Sequence, residues 1–172
     1  EAAADLDGPW VAELERIATH VGVVVVAGMF RPGADDRVIN TLVVRGVGPE
    51  GERIAAHYDK IHLYDAFGHR ESEGVSPGHA VRTVRIGDLT IGLTICYDVR
   101  FPALFTAQAR AGAQAIIVSA SWGAGPGKVE QWELLGRARA LDSTAYVLAC
   151  GQADPSVTGV AAKQGSPTGV GH

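Results

Sequence analysis

Two short stretches of the sequence carry side chains suited to nucleophilic chemistry. In the first, LTICYDVRFP over residues 93–102, Cys96 lies where an apolar strand is predicted to end and shortly before a helix that Pro102 opens. A nucleophile at a strand-to-helix turn is exposed at the edge of a sheet, beside free backbone N–H groups. Those groups and the positive end of the helix favour a thiolate. Taken alone, however, a cysteine at a strand end is more often a small buried hydrophobic residue.

The second stretch, YDKIHLYD over residues 58–65, surrounds Lys60 with aromatic and aliphatic residues. An ammonium that is partly desolvated there would act strongly on a nearby thiol or oxyanion. Glu71, in Arg70-Glu71-Ser72, is suited to orient Lys60 through a charge-assisted hydrogen bond. Taken separately, the simpler interpretations are a surface lysine between a strand and a loop, and an ordinary acidic loop residue.

The elements that must position these residues follow from the hydrophobic pattern. A helix is predicted from Asp7-Gly8-Pro9 to Gly22, and the β-branched run Val23–Val26 indicates a strand buried on both faces. Hairpins are predicted over 40–44 with 53–56 and over 81–86 with 89–95, helices over 102–111 and 128–143, strands over 114–119 and 145–149, and loops over 67–77 and after Gly151. Helices that alternate with strands, together with two hairpins, indicate a layered α/β fold with a mixed sheet.

The helix over 128–143 is predicted to be amphipathic. Its apolar residues recur on one side, and Glu133 and Arg137 are spaced for an i,i+4 ion pair. The apolar side consists of Leu134, Leu135, Ala138 and Leu141.

Composition excludes several classes of function. The 172 residues carry a net charge of −4 and no cluster of lysine and arginine, which argues against a nucleic-acid or anionic-membrane partner. A disulfide between Cys96 and Cys150 is possible, but two cysteines are too few for a secreted scaffold, and Cys150 is interpreted as a packing residue. With no membrane-spanning run and no signal-peptide pattern, we expect a cytoplasmic protein. Five histidines lie at no metal-ligand spacing: His20, His57, His69, His79 and His172.

Together the two stretches resemble the nitrilase (carbon–nitrogen hydrolase) superfamily. Its members carry a lysine in a Lys-x-His-Leu segment after a strand, then Glu-Ser and Pro-Gly in a loop, then a hairpin and Cys-Tyr-Asp-x-Arg-Phe-Pro. The same pieces stand here in the same order, as Lys60–Leu63, Glu71-Ser72, Pro77-Gly78 and Cys96–Pro102. Ser121–Gly127 and Gln131–Ala140 are similar to the family's active-site loop and following helix, so the resemblance covers essentially the whole chain.

The resemblance implies an amidase that cleaves a non-peptide C–N bond of a small carboxylic amide through a cysteine thioester. It implies that Cys96 is the nucleophile, that Lys60 and the Tyr97 N–H hold the oxyanion, and that Glu71 supports the lysine. Trp122 either lines the substrate pocket or packs in the core. The partner is then a small-molecule amide, and no metal or cofactor is implied.

The branch of the superfamily is indicated by the residues after the cysteine. Cys-Tyr-Asp-x-Arg-Phe-Pro is most like the Nit-type omega-amidases and deaminated-glutathione amidases, whereas true nitrilases more often have Trp-Glu after the cysteine. Gln131 departs from those amidases, which usually have a histidine there, and this predicts a different choice of substrate. His62 is expected to brace the loop that carries Lys60.

For the fold, the resemblance implies a four-layer αββα sandwich with mixed sheets, in a homodimer or higher homo-oligomer. The helices that follow Pro102 and Lys128 would face the partner. We interpret residues 1–172 as a single carbon–nitrogen hydrolase domain truncated at both ends, without an N-terminal strand-helix-strand and without C-terminal strands. The family's general base lies in a Phe-Pro-Glu segment, and Glu1 is too close to Asp7-Gly8-Pro9 to be matched to it.

Three other interpretations remain open on the sequence. The chain could be a nitrilase or an N-carbamoyl amide hydrolase of the same superfamily. It could instead be a non-catalytic or incomplete nitrilase-fold module that binds a ligand or a partner. The last is another thiol hydrolase on an α/β scaffold, which needs a histidine base, and no histidine is recognisably paired with Cys96.

Overall fold

The computed structural model describes residues 3–153, which contain two main sheets and three α-helices. The helices are α1 (Pro9–Val21), α2 (Pro102–Arg110) and α3 (Lys128–Ser143). The strands are β1 (Val24–Pro32), β2 (Val38–Val47), β3 (Arg53–Asp59), β4 (Asp65–Ala66), β5 (His69–Arg70), β6 (Thr83–Ile86), β7 (Leu89–Ile95), β8 (Ala115–Ala120) and β9 (Tyr146–Gly151). Short 3₁₀ helices cover Glu71–Glu73 and Cys96–Arg100. Within this range no helix is long and apolar enough to cross a membrane.

The first sheet is antiparallel and has the order β1-β2-β3, while β4 and β5 form a separate two-stranded ribbon. The second sheet has the order β6-β7-β8-β9. Its β6 is antiparallel to β7, whereas β7, β8 and β9 are parallel and are joined by crossovers through α2 and α3. The carboxyl ends of β7 and β8 therefore lie at the same edge, which is where ligands bind in open parallel sheets.

Three apolar clusters hold these elements in four layers. Helix α1 packs on the outer face of the first sheet through Val11, Met29 and Val43. The two sheets face each other through Leu42, Val44, Ile54, Tyr58, Leu93 and Ile95. Helices α2 and α3 cover the second sheet through a cluster that includes Leu104, Phe105, Ile116, Val118 and Trp132. The predicted αββα sandwich with mixed sheets is confirmed.

Most element boundaries agree with the sequence prediction, because glycine and proline mark the ends. Helix α1 ends where Gly22 adopts a left-handed conformation (φ 75°), and α3 and β7 have the predicted ends. The predicted loop over 67–77 contains β5 and a 3₁₀ turn, whose two- and three-residue lengths are too short to give a periodic signal. The first strand was predicted to be fully buried, but residues 24–27 of β1 are half-buried, because β1 is the edge strand of its sheet. Both of its faces are nevertheless in contact with a core, through Val24 and Val26 on one side and Ala27 on the other.

The predicted apolar side of α3 is buried only in part. Leu135 packs on the core beside the buried Trp132, whereas Leu134 and Leu141 are 68% and 82% exposed. The interpretation of Cys150 as a packing residue is wrong. Cys150 is exposed on β9 rather than packed, and neither cysteine forms a disulfide. The predicted pairing of Arg137 with Glu133 is confirmed at 3.5 Å.

The end of β3 is fastened by a carboxylate. Asp59 accepts two hydrogen bonds from the Arg31 guanidinium (3.1 and 2.6 Å) and one from the Thr41 hydroxyl (2.7 Å). Burial opposes ionisation, but these donors hold the pKa of Asp59 below its ordinary value. The backbone at Gly78 passes so close to this strand end that a side chain there would clash with the Asp59 carbonyl oxygen, which explains the glycine of Pro77-Gly78.

We predict that Asp59→Asn lowers the free energy of unfolding at pH 7 by about 2 kcal/mol, since it removes a hydrogen-bonded charge from a partly buried site. A lowered folded-state pKa contributes stability above the unfolded value, near 3.8, and that contribution is lost as the pH falls through the folded value. The difference from wild type should therefore shrink below about pH 3. Urea unfolding at pH 7 and at pH 2.5 measures it.

Asp88→Asn is the matched control, because Asp88 is fully exposed and its ion pair with Arg85 is long at 3.6 Å. Such pairs contribute almost nothing to stability. Equal losses at both pH values in Asp59→Asn would contradict the assignment of the stability to an ionised Asp59.

Candidate active site

Cys96 follows the last residue of β7 and begins a 3₁₀ helix in a left-handed conformation (φ 48°). A residue other than glycine is rarely found there, and a nucleophile on such a sharp turn is presented at the edge of the sheet. The backbone N–H of Tyr97, the next residue, lowers the pKa of the thiol. The sequence prediction of a strand, a short turn and a helix opened by Pro102 is confirmed.

Lys60 directly follows β3, and its side chain is almost completely buried, with 4% exposed. Its backbone is held on both sides, because its N–H donates to the Asn40 carbonyl (2.9 Å) and its carbonyl accepts from the Gly78 N–H (2.8 Å). The Nζ atom donates to Glu71 Oε2 at 2.6 Å. Glu71 Oε2 also accepts from the Tyr64 N–H at 2.6 Å. The structure therefore places Glu71 where the sequence predicted it, on the lysine.

The charges around Cys96 show which groups the fold brings together. Burial raises the pKa of the Cys96 thiol, the Lys60 ammonium lowers it, and the carboxylates of Glu71 and Asp98 raise it. The net pKa is above the ordinary thiol value, so the expectation of an unusually acidic cysteine is wrong for the described residues. The Lys60 ammonium nevertheless lowers the pKa of the thiol, and Cys96 packs against the same apolar clusters as Ile61, the residue after Lys60, so the fold brings the two predicted segments together.

Asp98 joins the lysine segment to the cysteine turn. Its carboxylate is completely buried and accepts hydrogen bonds from the Tyr58 hydroxyl (2.8 Å) and from His62 Nδ1 (2.7 Å). The His62 ring stacks on Phe101, with 3.7 Å between ring centroids. His62 thus braces the loop that carries Lys60, as predicted.

Aromatic rings and one guanidinium border the cysteine turn. The Tyr97 ring makes edge contacts with Tyr64 (5.0 Å) and Phe101 (5.4 Å). Trp122 is only 6% exposed, and its ring lies 5.1 Å from that of Trp132. This placement is that of a core residue. The assignment of Trp122 to the substrate pocket therefore stays a prediction, as does that of Tyr97.

Arg100 and Gln131 connect the turn to α3. The Arg100 guanidinium lies 5.6 Å from the Trp122 ring and 5.9 Å from the Tyr97 ring, and it donates to Gln131 Oε1 at 2.8 Å. Gln131 is the residue at which the sequence departs from the amidase pattern. Its contact with Arg100 places that departure beside the candidate site.

Sequence reasoning missed the role of Asp98 and Tyr58, although both lie inside the two quoted stretches. The available signal was an aspartate three residues after the end of an apolar strand. Their partners are 36 to 40 residues away along the chain, so the pairing itself could not be found from spacing.

Comparison with known proteins identifies the family of this chain. The family described as carbon-nitrogen hydrolase matches residues 1–172. The chain belongs to the carbon–nitrogen hydrolase family. A Mycobacterium tuberculosis protein named as a hydrolase is 57% identical over 173 residues, covering 99% of this chain and 61% of that protein. The deaminated glutathione amidase of Escherichia coli O157:H7 is 36% identical over 153 residues, covering 88% of this chain and 57% of the relative.

Solved structures of the family share the fold. Saccharomyces cerevisiae Nit3, described as a member of branch 10 of the nitrilase superfamily, superposes with a TM-score of 0.73 at 29% identity, covering 94% of this chain and 54% of the yeast chain. A mutant of the amidase from Nesterenkonia sp. AN1, with acrylamide added at the active-site cysteine, gives a TM-score of 0.65 at 27% identity over 81% of this chain and 53% of the amidase. The chain thus spans little more than half the length of these carbon–nitrogen hydrolases.

We predict that Lys60→Met slows alkylation of Cys96 by iodoacetamide at pH 8 by about tenfold or more, since loss of the ammonium removes the charge that favours the thiolate. Labelling is followed by mass spectrometry between pH 6 and 10 in a Cys150→Ser background, which leaves one thiol. The midpoint of the wild-type profile should lie above the ordinary thiol value because of burial.

Lys128→Met is the control for this measurement. Lys128 lies at the start of α3 with Nζ 5.8 Å from the Trp122 ring, and it is not among the charges that act on Cys96. Its profile should match wild type. An unchanged profile in Lys60→Met would show that the ammonium does not reach the sulfur.

Proposed function

We propose that this protein hydrolyses the C–N bond of a small carboxylic amide, with Cys96 as the nucleophile, Lys60 and Tyr97 as electrostatic partners, and Glu71 as support for the lysine. The observation that carries the proposal is a buried ammonium, paired with Glu71, on a segment that Asp98 joins to the cysteine turn. The charge of this ammonium lowers the pKa of the Cys96 thiol. Membership of the carbon–nitrogen hydrolase family and the amidase names of the relatives support the same reaction class.

In the acylation half-reaction, a base removes the proton of the Cys96 thiol, and the sulfur forms a bond to the amide carbon. The carbonyl π pair moves to oxygen, which the Lys60 Nζ and the Tyr97 N–H stabilise. Donors in a desolvated site act more strongly than the same donors in water. When the tetrahedral adduct collapses, the C–N bond breaks, and ammonia or an amine leaves with the proton that the base returns.

In the deacylation half-reaction, water attacks the thioester while the same base takes a proton from it. The C–S bond then breaks, the carboxylic acid product leaves, and the thiol regains its proton. The ammonium of Lys60 stabilises the oxyanion in both halves, so its charge must be retained throughout. The hydrogen bond from Lys60 to Glu71 serves this purpose, because a carboxylate partner compensates a buried ammonium for its lost hydration.

The base in this proposal is a glutamate of the Phe-Pro-Glu strand that the family resemblance implies for the whole protein. The raised pKa of Cys96 supports the need for one, since a thiol that is largely protonated at neutral pH attacks an amide only after a base has taken its proton. Within residues 3–153, Glu71 is already engaged by Lys60 and the Tyr64 N–H.

Amide rather than nitrile hydrolysis is proposed because Tyr97 and Asp98 follow the cysteine where true nitrilases more often have Trp-Glu. The contact of Gln131 with Arg100, at a position where the related amidases usually have a histidine, supports a substrate that differs from theirs. The substrate class is therefore a small carboxylic amide of unassigned side chain.

A non-catalytic module that binds a ligand or a partner is the second candidate. The observation that favours it is the raised pKa of Cys96, because an inert buried thiol is what such a module would retain. The two candidates differ in turnover, which the full-length protein either shows or lacks.

We predict that Cys96→Ala abolishes ammonia release from small amides by the full-length protein, lowering the rate by more than about a thousandfold, because no thioester can form. Release is measured by a coupled glutamate dehydrogenase assay across a panel of ω-amides and simple aliphatic amides. Wild-type protein should also form an acyl adduct on Cys96 that mass spectrometry detects after acid quench.

Cys150→Ala is the matched control, since Cys150 is an exposed thiol on β9, and its rate should equal that of wild type. Near-normal ammonia release by Cys96→Ala would end the proposal. Wild-type protein with no turnover on any amide in the panel and no acyl adduct would favour the binding module.

We also propose a homodimer or higher homo-oligomer that uses α3. The exposed side chains of Leu134 and Leu141 support it, because two large apolar residues one helical heptad apart form a stripe suited to another chain. We expect Leu141→Arg to shift the full-length protein toward monomer in light scattering at micromolar concentration. Leu89→Arg, at an exposed leucine in the β6-β7 hairpin, should leave the mass unchanged, and a wild-type monomer would refute the proposal.

A further inference from the structure

The carboxylate of Asp98 receives four hydrogen bonds, from the end of β3, from the loop that follows it and from the end of β7. Oδ1 accepts from the His62 N–H (3.1 Å) and from His62 Nδ1 (2.7 Å). Oδ2 accepts from the Tyr58 hydroxyl (2.8 Å) and from the Ile95 N–H (2.9 Å). The Tyr58 oxygen in turn accepts from the Ile61 N–H at 3.1 Å. A carboxylate with its acceptor sites filled in this way is held in one position.

The donors flank the two residues of the proposed reaction. Tyr58 and His62 lie two positions on either side of Lys60, and Ile95 directly precedes Cys96. Asp98 therefore binds the end of β3 to the end of β7, across the interface between the two sheets. Its hydrogen bonds lie in a fully buried site, where they are stronger than in water.

We propose that Asp98 is a positioning residue that sets the separation between the Cys96 sulfur and the Lys60 ammonium. Its effect on turnover rests on the proposed amide hydrolysis, whereas its effect on the coupling between thiol and ammonium does not. Loss of the carboxylate lets the lysine segment move relative to the cysteine turn, so that the ammonium no longer acts on the sulfur with full strength.

Asp98 also acts directly on the reactivity of the Cys96 thiol, in the direction opposite to its positioning effect. This difference makes the proposal testable. The negative charge of Asp98 raises the pKa of the Cys96 thiol. If charge alone mattered, neutralising Asp98 would make the thiol more reactive and would leave the influence of Lys60 unchanged. If Asp98 positions the pair, neutralising it removes the influence of Lys60.

Asparagine is the informative replacement because it cannot satisfy the site by rotating. Each carboxylate oxygen accepts one backbone N–H, from His62 on one side and from Ile95 on the other. Whichever oxygen is replaced by an NH₂ group, a donor then faces a backbone donor. Asp98→Asn therefore keeps the size of the side chain but loses the hydrogen bond to one of the two backbone N–H groups, that of His62 or that of Ile95.

The experiment is a double-mutant cycle on alkylation of Cys96 by iodoacetamide, with Cys150→Ser in every protein. Lys60→Met is introduced with and without Asp98→Asn in the full-length protein. We expect Lys60→Met to slow labelling at pH 8 about tenfold when Asp98 is present and less than about twofold when it is replaced. In the amidase assay, Asp98→Asn should lower kcat about a hundredfold with a much smaller change in KM, because misplacement of about 1 Å costs this much.

Tyr58→Phe keeps the charge of Asp98 and removes one donor, together with the acceptor for the Ile61 N–H, so it replaces Asp98→Asn if that variant does not fold. Tyr58→Phe should also weaken the dependence of Cys96 labelling on Lys60, but by less than Asp98→Asn does. Arg45→Met is the stability control, since Arg45 is buried on the α1 side of the first sheet and donates to the carbonyls of Val44 and Ala56. Arg45→Met should lower Tm and leave the effect of Lys60→Met on Cys96 labelling unchanged.

An equal effect of Lys60→Met with and without the Asp98 carboxylate would overturn the proposal, as would an Asp98→Asn protein that is labelled faster and retains wild-type kcat. Should the wild-type protein show no amidase turnover, the labelling cycle alone decides, so failure of the proposed function and failure of the positioning role give different results.

Discussion

The site depends on a buried positive charge that must be paired. An ammonium removed from water is tolerated only where a carboxylate and further hydrogen bonds compensate for the lost hydration. Lys60, whose side chain is 4% exposed, meets this condition through Glu71 at 2.6 Å. Glu71 can reach it only because the 3₁₀ turn after β5 is docked on the Tyr64 backbone. The irregular loop between β3 and β6 is thus ordered by an electrostatic requirement.

The sandwich architecture decides where that charge acts. Lys60 directly follows β3 in the first sheet, and Cys96 directly follows β7 in the second, so the two residues come together only because the sheets pack face to face. Apolar residues of both sheets form that interface. At one end of it, the Asp98 carboxylate connects the two sheets by hydrogen bonds to Tyr58 and Ile95. Packing of the sheets supplies the free energy that brings these ends together, while the hydrogen bonds fix how they are aligned.

At the sulfur, burial and charge oppose each other. Desolvation disfavours a thiolate, and the nearby carboxylates add to this, while the ammonium alone works in the other direction. The balance keeps the thiol protonated, which is consistent with a proposed nucleophile that is activated by a base during the reaction. The sequence led us to expect a thiolate in the resting protein. That expectation considered the effect of the lysine on the thiol and neglected the cost of burying a charged sulfur.

The sequence by itself predicted the helices and most of the strands, and it identified the residues that we propose for the chemistry. Local signals were sufficient for this: proline and glycine mark the ends of α1 and α2, the period of apolar residues separates strands from helices, and Lys60, Glu71 and Cys96 stand in recognisable segments. Only the tertiary structure decided which faces are buried. Leu134 and Leu141 belong to an apolar stripe in the sequence, yet this chain leaves both exposed, because helix packing depends on partners that periodicity does not identify.

The same limit applies to the site. The position of Asp98, the pairing of His62 with it, and the net pKa of Cys96 depend on contacts between residues 36 to 40 positions apart and on how much water reaches each group. Hydrogen bonds and desolvation are properties of three-dimensional surroundings. The sequence therefore determined which groups are available for catalysis, and the packing of two sheets decided their separation, their orientation and their charge.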